Sequence, residues 1–348
     1  MTLQETDEMT DQQIAEKANQ IFHNKYPEYS KKYKTRGKKK AYRDWLFHIS
    51  YLKGAIDAAE PNLFVDYVIW CKKFFNSINF PEKYLLASFE ILAEIYKKID
   101  SDFGKKAHSF ITKALQKFPS LPHESNSFVE GDSHLGVLAQ RYLNSLLRKD
   151  LSTASKLIND AVDEGVSIKD IYLYVFQPAQ YEVGRLWQNN TINVATEHYC
   201  TAATQNIISR LYPHIFSGQT SDKKIIATSV SGELHELGIR MVADFFEMEG
   251  WDTYYLGANT PHSSLISMIN EVKPDIIAIS ATISYHISEV VELIKKIQKK
   301  ADYHDYKIIV GGYPFNKNKH LWETVGADSF ATDANQAVKE ANKLLKAE

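Results

Sequence analysis

The chain has 348 residues, 44% hydrophobic and 24% charged, with a formal net charge of −2. That is the composition of a globular protein with room for two or three domains, and it excludes a nucleic-acid surface over the whole chain. No apolar run reaches the ~18–20 residues of a membrane span, the polar start MTLQETDEMTDQQ is no secretory signal, and the two cysteines, Cys71 and Cys200, lack metal-ligand spacing, so a reduced cytoplasm is expected.

Helical spacing runs from residue 11 to about 33. The stripe Trp45, Ile49, Leu52 and Ile56 then predicts a helix over 38–58. The basic run RGKKK at 36–40 reads as its solvated start. Pro61 opens a helix carrying Phe64, Val68 and Phe75, and Pro81 opens one carrying Leu85, Phe89, Leu92 and Tyr96. A further helix covers roughly 103–118, and Cys71 reads as a core position. The segment PSLPHESNSFVEGDS at 119–133, with its prolines, glycine and small polar residues, predicts a linker. Helical periodicity resumes at about 134 and continues to about 216, with turns near Asp150, Gly165 and Asn190, the size of a four-helix bundle.

From Lys223 the character changes. The runs KIIATSV, TYYLG, DIIAISAT and KIIVGG alternate with helical segments at 236–249, 261–272, 286–301 and 316–325. A weaker strand at 329–331 precedes a last helix from Asp333. Short β-branched runs alternating with helices predict a parallel sheet covered on both faces. Ligands on such sheets bind beyond the carboxyl ends of the strands, and the stretch SGELHELG, 231–238, follows the first strand there. A neutral imidazole at His235 suits a transition metal, and Glu233 is placed to take the proton on its other nitrogen. Gly238 allows a bulky group to approach the helix start. No second Cys or His lies nearby in sequence to complete a zinc site, and one histidine suffices if the remaining ligands come from a macrocycle.

Ser280 and Thr282 end the third strand and Gly311-Gly312 the fourth; 41 residues separate Gly238 from Ser280 and 28 separate Thr282 from Gly311. This pattern, an acidic residue, His and Gly, then Ser-x-Thr, then Gly-Gly, resembles the cobalamin-binding signature, with Glu233 where that family usually has Asp. The resemblance implies His235 as the lower ligand of cobalt, with the cofactor's nucleotide tail beside Ser280 and the two glycines leaving it space. Leu234 and Thr282 complete the expected set. GELHELGIRMVADFFEMEGW looks like the corresponding family stretch over its whole length.

In the helical block before the sheet, Trp187 precedes Glu197-His198 by ten residues within WQNNTINVATEHYCTA. This resembles the cap of CarH-type photoreceptors, which hold adenosylcobalamin. There the tryptophan lies against the adenosyl group and the Glu-His pair helps enclose it; Val194 matches a further contact. An indole makes a flat apolar lid, and Glu197 can accept from ribose hydroxyls. Gln188 departs from the histidine those repressors place after the tryptophan, leaving His198 as the nearest substitute. No DNA-binding domain is expected. The stretch YRDWLFHISYLKGAIDAAEPNLFVDYVIW, 42–70, resembles the N-terminal domain of stand-alone cobalamin sensors such as the photocobilins, which also hold biliverdin. Arg43, His48 and Lys53 flank the Trp45–Leu52 stripe as candidate partners for its propionates.

The expected architecture is therefore multidomain: an all-α, globin-like domain at 1–120, a four-helix-bundle cap at 131–218 and a Rossmann-like, flavodoxin-like α/β domain with a five-stranded parallel sheet at 222–348. The expected function is a light sensor in which photolysis of adenosylcobalamin moves the cap and changes the homo-oligomer, with biliverdin as a second chromophore and a downstream signalling partner. The alternative is a corrinoid carrier protein for methyl transfer. A mutase subunit would need a substrate barrel for which this chain has no room.

Overall fold

A computed structural model describes residues 9–122, 126–215, 221–303 and 305–346, with the backbone alone for 34–36 and 38. The chain's first residues, the middle of the expected linker and the expected boundary at 218 lie outside the described residues, as do the Arg36 and Lys38 side chains of the basic run. The chain divides into two compact units, one ending at residue 124 and the other beginning at 125. Among the described residues no helix is long and apolar enough to cross a membrane.

The first unit is helical. Helix α1 (Asp11–Lys25) starts from a capping box: the Thr10 hydroxyl accepts from the Gln13 N–H, and the Gln13 side chain accepts from the Thr10 N–H. The break falls at Tyr26, whose φ of −126° is not helical. Pro27, lacking an N–H, fits the first turn that follows. Helix α2 (Pro27–Asp57) then runs unbroken for 31 residues, so the break expected between 33 and 38 is absent; one Gly37 does not interrupt it. Helices α3 (Pro61–Ser77), α4 (Glu82–Tyr96) and α5 (Asp102–Lys117) follow. Their core holds Trp45, Ile49, Leu52, Phe64, Val68, Phe89 and Leu92. Cys71 is buried there, and burial pushes its thiol up to about 12, which makes it inert. The three expected propionate partners do not converge. Arg43 is exposed, Lys53 pairs with Asp11 at 2.8 Å, and the buried His48 bonds Tyr67 at 2.7 Å.

The second unit opens with helices α6 (His134–Leu147), α7 (Leu151–Asp163) and α8 (Ile168–Ile171), the last passing through a π-helical turn at Tyr172–Phe176 into α9 (Gln177–Gln188). Helices α10 (Val194–Arg210) and α11 (Tyr212–Ile215) complete this block. Lys149, Gly165 and Asn190 take positive φ at its turns. The α/β part follows as β1 (Lys224–Ser229), α12 (Leu237–Met248), β2 (Asp252–Gly257), α13 (His262–Val272), β3 (Ile276–Ser280) and α14 (Ile287–Lys300). It ends with β4 (Lys307–Gly311), α15 (Tyr313–Lys317), α16 (Leu321–Val325), β5 (Ser329–Ala331) and α17 (Ala334–Leu344). The single helix expected at 316–325 is two, because the first starts at Tyr313, directly after Gly312 and with Pro314 in its first turn, and Asn318 is extended.

All five strands are parallel in the order β2-β1-β3-β4-β5. The strand order reverses at β1, so the crevice between the ends of β1 and β3 is where such a sheet takes a ligand. One hydrophobic core joins the helical block to one sheet face, from Leu138, Tyr142 and Tyr172 through Phe245 and Phe246 to Ala227, Ala278 and Ala341. Polar ties cross the same boundary: Tyr172 and Tyr212 donate to the buried Asp244 at 2.7 and 3.2 Å, and Gln205 donates to Glu236 at 2.9 Å.

Candidate functional site

The chain leaves β1 through Val230, whose N–H donates to the Ser280 carbonyl at 3.2 Å, and turns at Gly232, where φ is +81°. Gly232 donates to the Asn259 side chain at 2.8 Å, and Asn259 returns its N–H to the Glu233 carbonyl at 3.1 Å. This turn carries Glu233 inward and His235 outward. Glu233 has no exposed surface, while the His235 side chain is 57% exposed.

The Glu233 carboxylate takes four hydrogen bonds. One oxygen accepts from His235 Nδ1 at 2.5 Å and from the His235 N–H at 3.0 Å. The other accepts from the N–H groups of Thr282 at 2.8 Å and Ile283 at 3.1 Å. Burial alone would push this carboxyl up, but the His235 side chain and the backbone donors outweigh it and hold it at about 2. The bond to Glu233 raises His235 against the lowering effect of its burial. With Nδ1 donating to a fixed carboxylate, Nε2 carries the free lone pair, the form in which imidazole ligates a metal.

Beneath the loop, Ser229, Ser280 and Gly311 stand side by side on β1, β3 and β4, with Ala331 beside Gly311 on β5. Strand alternation puts them on the face shared with Ala227 and Ala278, under α12 and α17. Four adjacent small residues leave a shallow slot at the strand ends. The Ser229 hydroxyl is buried within the sheet and has no partner. A side chain at Gly238 would meet nothing within 4 Å, so no packing of the described chain requires a glycine there. At Gly312 the backbone does require it: φ is +108°, and a Cβ would lie 2.1 Å from the Ala281 carbonyl. An orphaned hydroxyl, a row of small residues and open space at the helix start fit a polar, elongated group entering between sheet and helix.

The helical block reaches the same place. Glu197, in the first turn of α10, contributes to raising His235. It is held by His198 at 2.5 Å and by Thr201 at 3.3 Å. Val194 and Leu234 are exposed apolar residues, at 51% and 75%. Trp187 and Gln188 are half-buried near the end of α9. His286, in a 3-10 turn at Ser284–His286, lies 4.0 Å from Glu233 and is 5% exposed. Burial lowers its pKa. Nothing in the sequence spacing marks His286 or Ser229.

Residues 223–341 match the family model of the B12 binding domain, and residues 138–212 match a second B12 binding domain model. With the fold and the loop geometry, these matches support a cobalamin-binding protein. A corrinoid protein of Desulfitobacterium hafniense is 27% identical over 206 residues, 58% of this chain and 94% of that one. Dimethylamine corrinoid protein 3 of Methanosarcina mazei is 25% identical over 169 residues, 48% of this chain and 96% of that one. Among solved structures, the monomethylamine corrinoid protein of Methanosarcina barkeri shares the fold, with a TM-score of 0.53 at 19% identity over 60% of this chain and 98% of that one.

These relatives overturn the photoreceptor expectation. They are named corrinoid proteins. Adenosylcobalamin, biliverdin, light-dependent assembly and a signalling partner receive no support.

Proposed function

We propose that the chain is a corrinoid carrier protein that receives a methyl group from one methyltransferase and delivers it to another. The observation that carries this reading is the Glu233–His235 pair at the β1/β3 crevice: a buried carboxylate with four donors fixes an imidazole with its Nε2 free. Cobalamin, when bound, supplies a cobalt centre that accepts and gives up the methyl group. His235 would ligate the cobalt through Nε2. Glu233 sets the tautomer and basicity of His235 and keeps the ring from swinging away. Ser280 and the glycines at 238, 311 and 312 would admit the nucleotide tail. Leu234 offers apolar surface beside His235. Trp187, Val194, Glu197 and His198 would shield the carried group from water. The three-part division, 1–120, 131–218 and 222–348, belongs to the same proposal.

The test is reconstitution of the full chain with methylcobalamin. One equivalent should be retained through gel filtration, and His235→Ala should retain it weakly and with an altered absorption spectrum. Added to a corrinoid-dependent methyltransferase with a thiol acceptor, the loaded chain should lose its methyl group to the thiol. Retention of the methyl group against every such acceptor system, with cobalamin firmly bound, defeats the carrier reading and leaves the binding site standing.

A further inference from the structure

The first unit holds a cavity of about 230 Å3, partly open to solvent, in a part of the chain that neither B12 model matches. Its walls are aromatic, including Phe22, Tyr29, Tyr33, Trp45, Phe80 and Tyr84. Tyr29 meets Phe22 at 5.1 Å and 84°, Tyr84 at 5.3 Å and 76°, and Phe80 at 6.2 Å and 79°. In such edge-to-face contacts one ring keeps both faces free of the other. The cavity falls below the ~300–1,000 Å3 of sites for drug-sized ligands, which also leaves no room in it for a linear tetrapyrrole.

One acid stands on this wall. Asp44, on α2, receives no hydrogen bond from the described residues. Burial pushes its carboxyl up to about 6, against the lowering effect of Lys40 and Arg43. Lys40, one helical turn away and exposed, also borders the cavity, and the two make no ion pair. A partly buried carboxylate without a partner costs free energy that an incoming cation recovers. Aromatic rings attract a cation through their quadrupole, and they do so best for ions that need few hydrogen bonds, the methylated ammoniums. A bare ammonium would leave donors unmet in an aromatic wall.

We propose that this cavity binds a small methylated ammonium cation, its charge held between Asp44 and the rings around Tyr29. This proposal does not depend on the carrier reading. The test is titration calorimetry of the full chain with tetramethylammonium chloride, against ammonium chloride and the neutral, similarly shaped 2,2-dimethylpropanol. Tetramethylammonium should bind one site at least about tenfold more tightly than either control, the scale of a desolvated cation–ring contact plus a charge pair. Asp44→Asn should weaken it by about tenfold or more, and Tyr33→Leu by several-fold. Both variants should still take up cobalamin. No saturable heat up to about 20 mM tetramethylammonium, below any affinity worth ~2–3 kcal/mol, overturns the proposal. So does equal binding of the neutral analogue by the unmodified chain, which would make the cavity merely apolar, or undiminished binding by folded Asp44→Asn.

Discussion

Glu233 and Asp44 are both withdrawn from water, and their surroundings drive them in opposite directions. Glu233 is held at about 2 because its donors outweigh burial. Its folded pKa lies below the ordinary value, so the stability it contributes is present above about 4.5 and is lost as the pH falls towards 2. Glu233→Gln keeps the shape but removes the charge. We expect His235 to become less basic and cobalamin affinity to fall about 10–100-fold, the usual cost of losing a partner behind a metal ligand. Equilibrium dialysis against hydroxocobalamin measures this; an unchanged affinity would mean that the carboxylate does not tune His235. Asp44 has the opposite sign. Burial raises it from 3.8 to about 6, so the folded state loses stability as the pH rises from about 4 through 6. The groups that sense it are Lys40 and Arg43 on its own helix, Tyr29 from the same helix, and Tyr67 and Cys71 from α3. Asp44→Asn should therefore stabilise the chain by about 1–2 kcal/mol at pH 7, discounted for partial solvent access, and by much less at pH 4. Urea unfolding at the two pH values checks the sign.

At the level of elements, the slot at the strand ends makes a sharper demand than the loop above it. Ser229 lies in a sheet row of small residues, and its buried hydroxyl has no partner. Replacing it with Val removes an unsatisfied polar group, so stability should hold or rise by about 1 kcal/mol. The added methyls should fill the slot and lower cobalamin affinity more than about tenfold. Thermal unfolding and dialysis on the same sample separate the two effects; a parallel loss of both would make Ser229 an ordinary packing residue. This slot was half legible in the sequence. Ser280 and Gly311 were visible because strand-end residues at family spacing carry a pattern. Ser229 was not, because its partnerless burial exists only once β1, β3 and β4 are in register. His286 escaped for a similar reason: it reaches Glu233 through a 3-10 turn, which leaves no periodicity to read. The strands were plain from their β-branched runs, while the helix break moved to Tyr26 because a proline at the first position is a stronger signal than a lone Gly37.

At the scale of the whole molecule, both B12 domain matches lie in the second unit. The hydrophobic core that joins its helices to the sheet runs from Leu138 to Ala341 and takes none of its residues from the first unit. A unit that buries its own core and ties its own helical block to α12 through Asp244 and Glu236 has what it needs to fold alone. A fragment of residues 126–348 should therefore fold cooperatively and bind cobalamin within about threefold of the full chain, a difference under ~0.7 kcal/mol, with the same absorption spectrum. The complementary fragment, residues 9–122, should be helical by circular dichroism and take up no cobalamin, because the Glu233 loop and the Ser229 slot are elsewhere. If the larger fragment aggregates, or binds cobalamin more than tenfold more weakly, the helical unit contributes directly to the corrinoid site. The division of labour would then fail: the first unit would be a part of the carrier itself, and its aromatic cavity would have to be explained by what it does for the cobalt.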